Sequence, residues 1–509
     1  MEVVGAVILL VILFSLSRRS SFWTPLRGAP TLKSADQANT VTDKRIRLLH
    51  SVGQVSNALA VRLGNIRFPL EVLSKPTVIL GLPGTGKTSL INMMLPSLFA
   101  LFEIKVGRTR FVILDVKNET PGRLNALLPG HIPIYFLNPL DTRATPLDYP
   151  KMFADRGDIN QLAHTICPPT AGDQSPYFRD TARQCIALVI MVMQAHGPNA
   201  SKPWGLFDLI CILSDKRLLR HVMKQNFEAW SFYKATLATD NKASADVFGT
   251  IRSVIQPLVP AALAELDARD RFDMQSFLRG DGVAVLGVPS KGSQSVLPIY
   301  NVIIRRLIEE AQTISHPDDR LFIILDEIAM LDKSVVDAII KATCVGRSHG
   351  IHVISATQSV ELLESQFGEK EAQAFLASCA NTIGFRCSRK TADFVVGLCG
   401  NQEGIMLLSS VTSNKDGRST TVTEHFKTLP TLMAEQLTHA PLADPIHDSM
   451  TFVVVSPSFE TAYVVCPFMS ETTVALDATF PNTSPRLTGA GGLRPLTLSD
   501  FEALGFPKR

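Results

Sequence analysis

Three short stretches carry residues whose types and spacing could act on a nucleoside triphosphate. In GLPGTGKTSL (residues 81–90), Gly81 and Gly86 are separated by four residues and followed by Lys87, Thr88 and Ser89. Glycines let the backbone turn tightly enough for its N–H groups to face phosphate oxygens, and a helix N-terminus behind them adds partial positive charge. In such a loop Gly81, Gly84, Thr85, Gly86 and Ser89 belong to the cradle. Lys87 reaches the phosphates and Thr88 offers a hydroxyl to Mg2+. In LFIILDEIAML (321–331), an apolar run ends in Asp326-Glu327. The first carboxylate can hold a Mg2+ water shell, and the second can orient and polarise an attacking water. A hydrolase needs that second acid, whereas a small-molecule kinase does not. In IHVISATQ (351–358), Gln358 closes a strand, the end of a parallel sheet where ligands sit. There it could contact the γ-phosphate or the attacking water.

Arg347 lies at the opposite end of that last strand. Seven residues at about 3.3 Å each separate it from Gln358, too far for a side chain to reach its own phosphates. Either Arg347 acts on a neighbouring subunit's ATP as an arginine finger, which implies a ring, or it is a cation favoured at a helix C-terminus.

The elements that would position these groups are legible around them. TVIL (77–80) is a β-branched apolar run, as expected of a buried parallel strand, and SLINMMLPSLFALF (89–102) reads as a helix. RFVILDVKN (110–118) and IPIYFLN (132–138) read as further strands. Between about 155 and 270 the pattern becomes helical without a clear strand, and β/α alternation returns from GVAVLGVP (282–289) to about 468. The predicted architecture is an α/β nucleotide-binding core (46–154 and 271–468) interrupted by an all-α domain (155–270). A linker (20–45) precedes it and an irregular tail (469–509) follows. A long gap between Lys87 and Asp326 disfavours compact kinases and small GTPases. No LSGGQ-like signature appears, which disfavours cassette-type transport ATPases.

Composition bounds the remaining possibilities. The chain has 509 residues, 46% hydrophobic and 19% charged, with a net charge of +3. That near balance gives no general argument for nucleic acid, so any basic surface must be local. One local candidate is Lys216, Arg220 and Lys224, which recur every four residues beside Arg217; a solvated helix face is the alternative. Loops at PSKGSQS (289–295) and TSNKDGRS (412–419) could enter a central channel. Eight scattered cysteines without a C-x2-C pair suit reduced thiols in a cytoplasmic compartment. At the N-terminus, VVGAVILLVILFSL (3–16) is apolar and followed by Arg18-Arg19. The run is shorter than the ~20 residues of an ordinary spanning helix. Positive charge after the run favours an anchor (1–19) with the N-terminus outside and the bulk of the chain in the cytoplasm. A cleaved signal or a core helix is the alternative.

On these motifs the chain resembles the type IV secretion coupling proteins, the membrane-anchored ATPases of bacterial conjugation. GRSHGIHVISATQSVELLESQFG (346–368), with the two nucleotide motifs, is the specific part of the match. SPYFRDTARQ (175–184), LDVKNE (114–119) and RPLTLSDFEAL (494–504) are also similar to family segments. The chain departs from the pattern in having one short apolar segment where the family usually has two spanning helices. Val116, Asn118 and Tyr177-Phe178 also stand where it has other residues.

The resemblance implies a RecA-like P-loop core with an inserted all-α domain, a homo-hexamer at the bacterial inner membrane, and ATP with Mg2+ as cofactors. It also implies coupling of ATP hydrolysis to the transfer of single- or double-stranded DNA, a relaxase complex or another secreted protein to channel components. On this pattern Lys87, Glu327, Gln358 and Arg347 are catalytic, and Asp115 and Lys117 lie near the nucleotide or a subunit interface. The residues leave a protein-effector receptor open as an alternative. The insertion and the 346–368 segment argue against a chromosome-segregation or packaging translocase.

Overall fold

A computed structural model describes residues 23–25, 32–51, 59–104, 107–118, 120–169, 176–197, 200–239, 241–265, 271–289, 292–314, 318–345, 349–414, 417–443, 449–457, 459–467 and 496–506. The expected N-terminal anchor and Arg347 lie outside these residues.

Among the described residues, fourteen strands follow one another along the chain. The first six are β1 (Trp23–Pro25), β2 (Ala60–Leu63), β3 (Ile66–Pro69), β4 (Thr77–Leu80), β5 (Thr109–Asp115) and β6 (Ile134–Phe136). Four more cross the later part of the core: β7 (Gly282–Gly287), β8 (Arg320–Leu325), β9 (Ile351–Thr357) and β10 (Asn381–Gly384). The last four are β11 (Asn401–Asn414), β12 (Gly417–Pro430), β13 (Ser449–Ser456) and β14 (Phe459–Pro467). Nine of them form one sheet in the order β14-β13-β10-β4-β9-β8-β5-β7-β6. From β10 to β6 every neighbouring pair is parallel, whereas β13 and β14 join antiparallel at one edge.

A parallel sheet is covered on both faces, so its strands are apolar throughout. Strand periodicity then divides the side chains between two layers. In β8, Leu321, Ile323 and Leu325 enter one core cluster, while Phe322 and Ile324 enter the other. In β5, Val112 and Leu114 face the first cluster and Phe111 and Ile113 the second, with Phe111 stacked on Phe322 at 4.9 Å.

Among the described residues no strand lies between β6 and β7. Helices fill that span, among them Arg156–Ile166, Pro176–His196, Leu206–Ser214, Lys216–Met223, Phe227–Thr236 and Lys242–Ile255. The chain enters and leaves this helical region side by side: Asp148 N donates to Phe272 O at 3.1 Å and Phe272 N to Pro146 O at 2.6 Å. An ion pair of Arg306, on the helix Ser293–Ile314, with Asp158 ties the helices to the core. Among the described residues one helical stretch, Lys242–Ala264, is long and apolar enough to cross a membrane, but Val247, Ile251 and Ile255 bury its face in the helical layer.

Three expectations are corrected. The stretch expected as linker contains β1 and the helix Ala35–Ser51. Its narrow buried stripe, Ala38 and Thr42, packs toward β3, where Thr42 Oγ1 donates to Arg67 O, and Arg45 pairs with Glu71 at 2.9 Å. The expected irregular tail carries the helix Leu498–Ala503, held on the helical region by Phe501 against His221 at 5.3 Å and Phe506 against His196 at 4.6 Å. The stretch 412–419 is mostly strand, because β11 and β12 pair in register to Asn414 and Gly417. Lys216, Arg220 and Lys224 are exposed, as a basic helix face requires.

Candidate nucleotide site

β4 ends at Leu80 and releases the chain into the loop 81–86, which feeds the helix Lys87–Phe99. Gly84 (φ 76) and Gly86 (φ 100) lie in the left-handed region that favours glycine. Gly81 is constrained by space, since a Cβ there would sit 2.6 Å from the Phe385 Cβ. Thr85 is buried and its hydroxyl donates to Leu82 O at 2.7 Å, bracing the turn. Lys87 Nζ donates to the carbonyls of Gly81 and Leu82, folding the cation back over the loop. Burial lowers the Lys87 pKa; Glu327 and Asp326 oppose this, and Lys117 adds to it.

The sheet order brings the other groups to the loop. β9 lies directly between β4 and β8, with Leu80 level with Thr357 and Leu325 level with Ser355. The ends of the loop strand, the acid strand and the Gln358 strand therefore meet. Thr88 Oγ1 donates to Asp326 Oδ1 at 2.9 Å. Burial raises the Asp326 carboxyl above the ordinary carboxylate range; the Thr88 bond opposes that and the Asp115 charge adds to it. Burial likewise raises Glu327, while Thr357, Lys87 and Gln358 favour its ionised form. Ser89 lies in the first turn of the loop helix and Gln358 is exposed just beyond β9.

Asp115 is buried at the end of β5, where it accepts from Lys117 N at 3.1 Å and Thr120 N at 2.7 Å. Its carboxylate holds a turn, and Lys117 itself is exposed. The set fits a nucleotide with Mg2+: a hydroxyl bonded to a carboxylate, a second carboxylate beside it, and a lysine that among the described residues is bonded to loop carbonyls. Three contributors were not singled out from the sequence. Thr357 is a polar end to an apolar strand, and that polarity beside Gln358 is the signal that points to it. Met450 and Ala443 back the loop, 3.2 and 3.4 Å from where a Gly86 Cβ would stand, and nothing local in the sequence points to them.

The sheet, loop and acid strand define a RecA-like P-loop NTPase core. The family model for the type IV secretion-system coupling protein DNA-binding domain matches residues 60–463, and the chain belongs to that family. The fold is similar to the unbound monoclinic form of the bacterial conjugative coupling protein TrwBdeltaN70. The TM-score is 0.64 and the identity 18%, over 91% of this chain and 97% of that one. It is also similar to the plasmid coupling protein TrwB in complex with ADP and Mg2+, with a TM-score of 0.64 and 17% identity over 91% of this chain and 98% of that one. TrwB with the non-hydrolysable ATP analogue ADPNP gives 0.65 and 17% over 91% and 99%. Among curated proteins none matches this sequence.

Proposed function

We propose that this protein is a membrane-anchored ATPase of a type IV secretion or conjugation system that couples ATP hydrolysis to recruitment and transfer of DNA, or of a relaxase–DNA complex, to the secretion channel. The observation that carries the ATPase reading is the meeting of the phosphate loop, the bonded Thr88–Asp326 pair and the Glu327 carboxylate within electrostatic reach of Lys87. Family membership and the TrwB complexes with ADP and Mg2+ and with ADPNP support ATP and Mg2+ as ligands here.

In this reading Gly81, Gly84, Thr85, Gly86 and Ser89 line the phosphates, and Lys87 leaves the loop carbonyls for phosphate oxygens. Thr88 and Asp326 would hold Mg2+, which when bound would offset negative charge on the phosphate oxygens. Glu327 takes a proton from water as the water oxygen bonds to the γ-phosphorus and the bond to the β–γ bridging oxygen breaks, releasing ADP and phosphate. Gln358 touches the attacking water or γ-phosphate. Arg347 completes a neighbouring site in a homo-hexameric ring. Val3–Leu16 anchors the protein in the inner membrane with the bulk in the cytoplasm.

The test is equilibrium binding of a fluorescent ATP analogue to the full chain in detergent. Wild type should bind in the presence of Mg2+, and Lys87→Ala should lose most of that binding. Equal binding by both would remove the site assignment.

A further inference from the structure

The helix Phe227–Thr236 presents an unusual surface. Asn226 caps it, its side chain accepting from Glu228 N at 2.9 Å and Ala229 N at 3.1 Å. The cap holds Phe227 at the first helical position, where 87% of it is exposed, the most of any large hydrophobic residue described. Trp230 and Lys234 follow at helical spacings that share Phe227's face. Trp230 stacks on Tyr233 at 5.5 Å with an 11° tilt, and Tyr233 is buried, so the indole has a rigid backing. Lys224 Nζ and Lys234 Nζ lie 5.5 and 5.9 Å from the Trp230 ring. The neighbouring helix adds exposed Arg217 and Arg220, and Lys216 over the Phe248 ring at 4.9 Å.

The acids on these two helices are already engaged. Asp215 caps the Lys216–Met223 helix, and Glu228 pairs with Arg156. The surface is therefore positive, with an aromatic ring standing clear of it. A duplex keeps its bases stacked inside and has no base face to offer Phe227. A protein partner would call for a broader apolar patch than this one ring. Single-stranded nucleic acid supplies both missing elements, a base face for the ring and phosphates for the cations.

We propose that Phe227 is a base-stacking platform for single-stranded DNA, with Lys224, Lys234 and Arg220 holding the flanking phosphates. This rests on the DNA-coupling reading above and names the contact it needs.

The test is fluorescence anisotropy of a labelled single-stranded oligonucleotide and of its duplex, with the full chain in detergent. Phe227→Ala should weaken single-strand binding about tenfold, within the range for loss of one base–aromatic stack. Phe227→Tyr should restore it, and duplex binding should change little. Lys224→Gln with Lys234→Gln should lower the salt slope by about 0.7 for each phosphate no longer neutralised. ATP hydrolysis without DNA should be unchanged in all these variants. Wild-type single-strand affinity in Phe227→Ala would overturn the proposal, as would an equal loss for the duplex. Capture of a relaxase lost in Phe227→Ala with single-strand binding intact would overturn it in favour of a protein surface. A wild-type protein that binds no DNA at all would instead remove the DNA-coupling reading itself.

Discussion

Replacing Glu327 by Gln separates binding from turnover, and the surroundings of Glu327 set the size of each effect. Three carboxylates, Asp115, Asp326 and Glu327, gather near Lys87 and Lys117. Removing one negative charge while keeping the side chain's size should leave ATP affinity equal or slightly tighter. Turnover should fall by about 10^2 to 10^4, the contribution of a positioned general base. Burial disfavours the charged carboxylate, so the uncharged variant should be at least as stable as wild type.

The pH dependence has a definite sign. Burial raises the folded pKa of Glu327. Its contribution to stability is therefore full below the ordinary glutamate value and is lost as pH rises through the raised one. If Glu327 is the base, ionisation of its carboxyl sets an acidic limb in the wild-type rate profile, and Glu327→Gln should lack that limb. The assay is phosphate release at saturating Mg-ATP across pH, with fluorescent-nucleotide titration and thermal melts alongside. Turnover within a few-fold of wild type would refute the role of Glu327, as would parallel loss of binding and turnover.

The remaining predictions concern assembly, the helical region and the membrane. Arg347→Ala should bind ATP yet hydrolyse it slowly, and mixing it with Lys87→Ala should restore partial activity through neighbours. No rescue among demonstrably exchanging subunits would make Arg347 a helix-end cation. Glu265 is buried and its pKa is raised to about 8, chiefly by burial, with Tyr149 Oη donating to it at 3.4 Å. Its stabilising contribution is therefore lost as pH rises from about 4.5 toward 8. Glu265→Gln should melt higher than wild type above pH 8 and show a flatter melting profile across that window; equal pH dependence in both would contradict the assignment. Full-length protein should stay in the membrane pellet through carbonate extraction, and release into the supernatant would reject the anchor.

The nucleotide motifs were legible because β4, β8 and β9 are buried on both faces and read as unbroken apolar runs ending in chemistry. What the sequence withheld was adjacency. Nothing in TVIL says that its neighbours are β9 on one side and the short strand NTIG (β10) on the other. Likewise nothing says that Met450 and Ala443, far along the chain, will back Gly86. The helix Ala35–Ser51 was hidden because its buried stripe is as narrow as Ala38 and Thr42, too short to set up a helical apolar period. The basic residues 216–224 were visible as a charge pattern. The aromatic ring that gives the surface its chemistry stands on the next helix, at Phe227.

The proposed function stands or falls on ATP hydrolysis at the 81–90 loop and on its coupling to DNA. Steady-state phosphate release by the full-length protein in detergent, with and without DNA and beside Lys87→Ala, reads both at once. Hydrolysis should depend on Mg2+, rise when DNA is added, and be absent in Lys87→Ala under both conditions. Hydrolysis that persists in Lys87→Ala, or wild-type hydrolysis indifferent to both single- and double-stranded DNA, would contradict that reading.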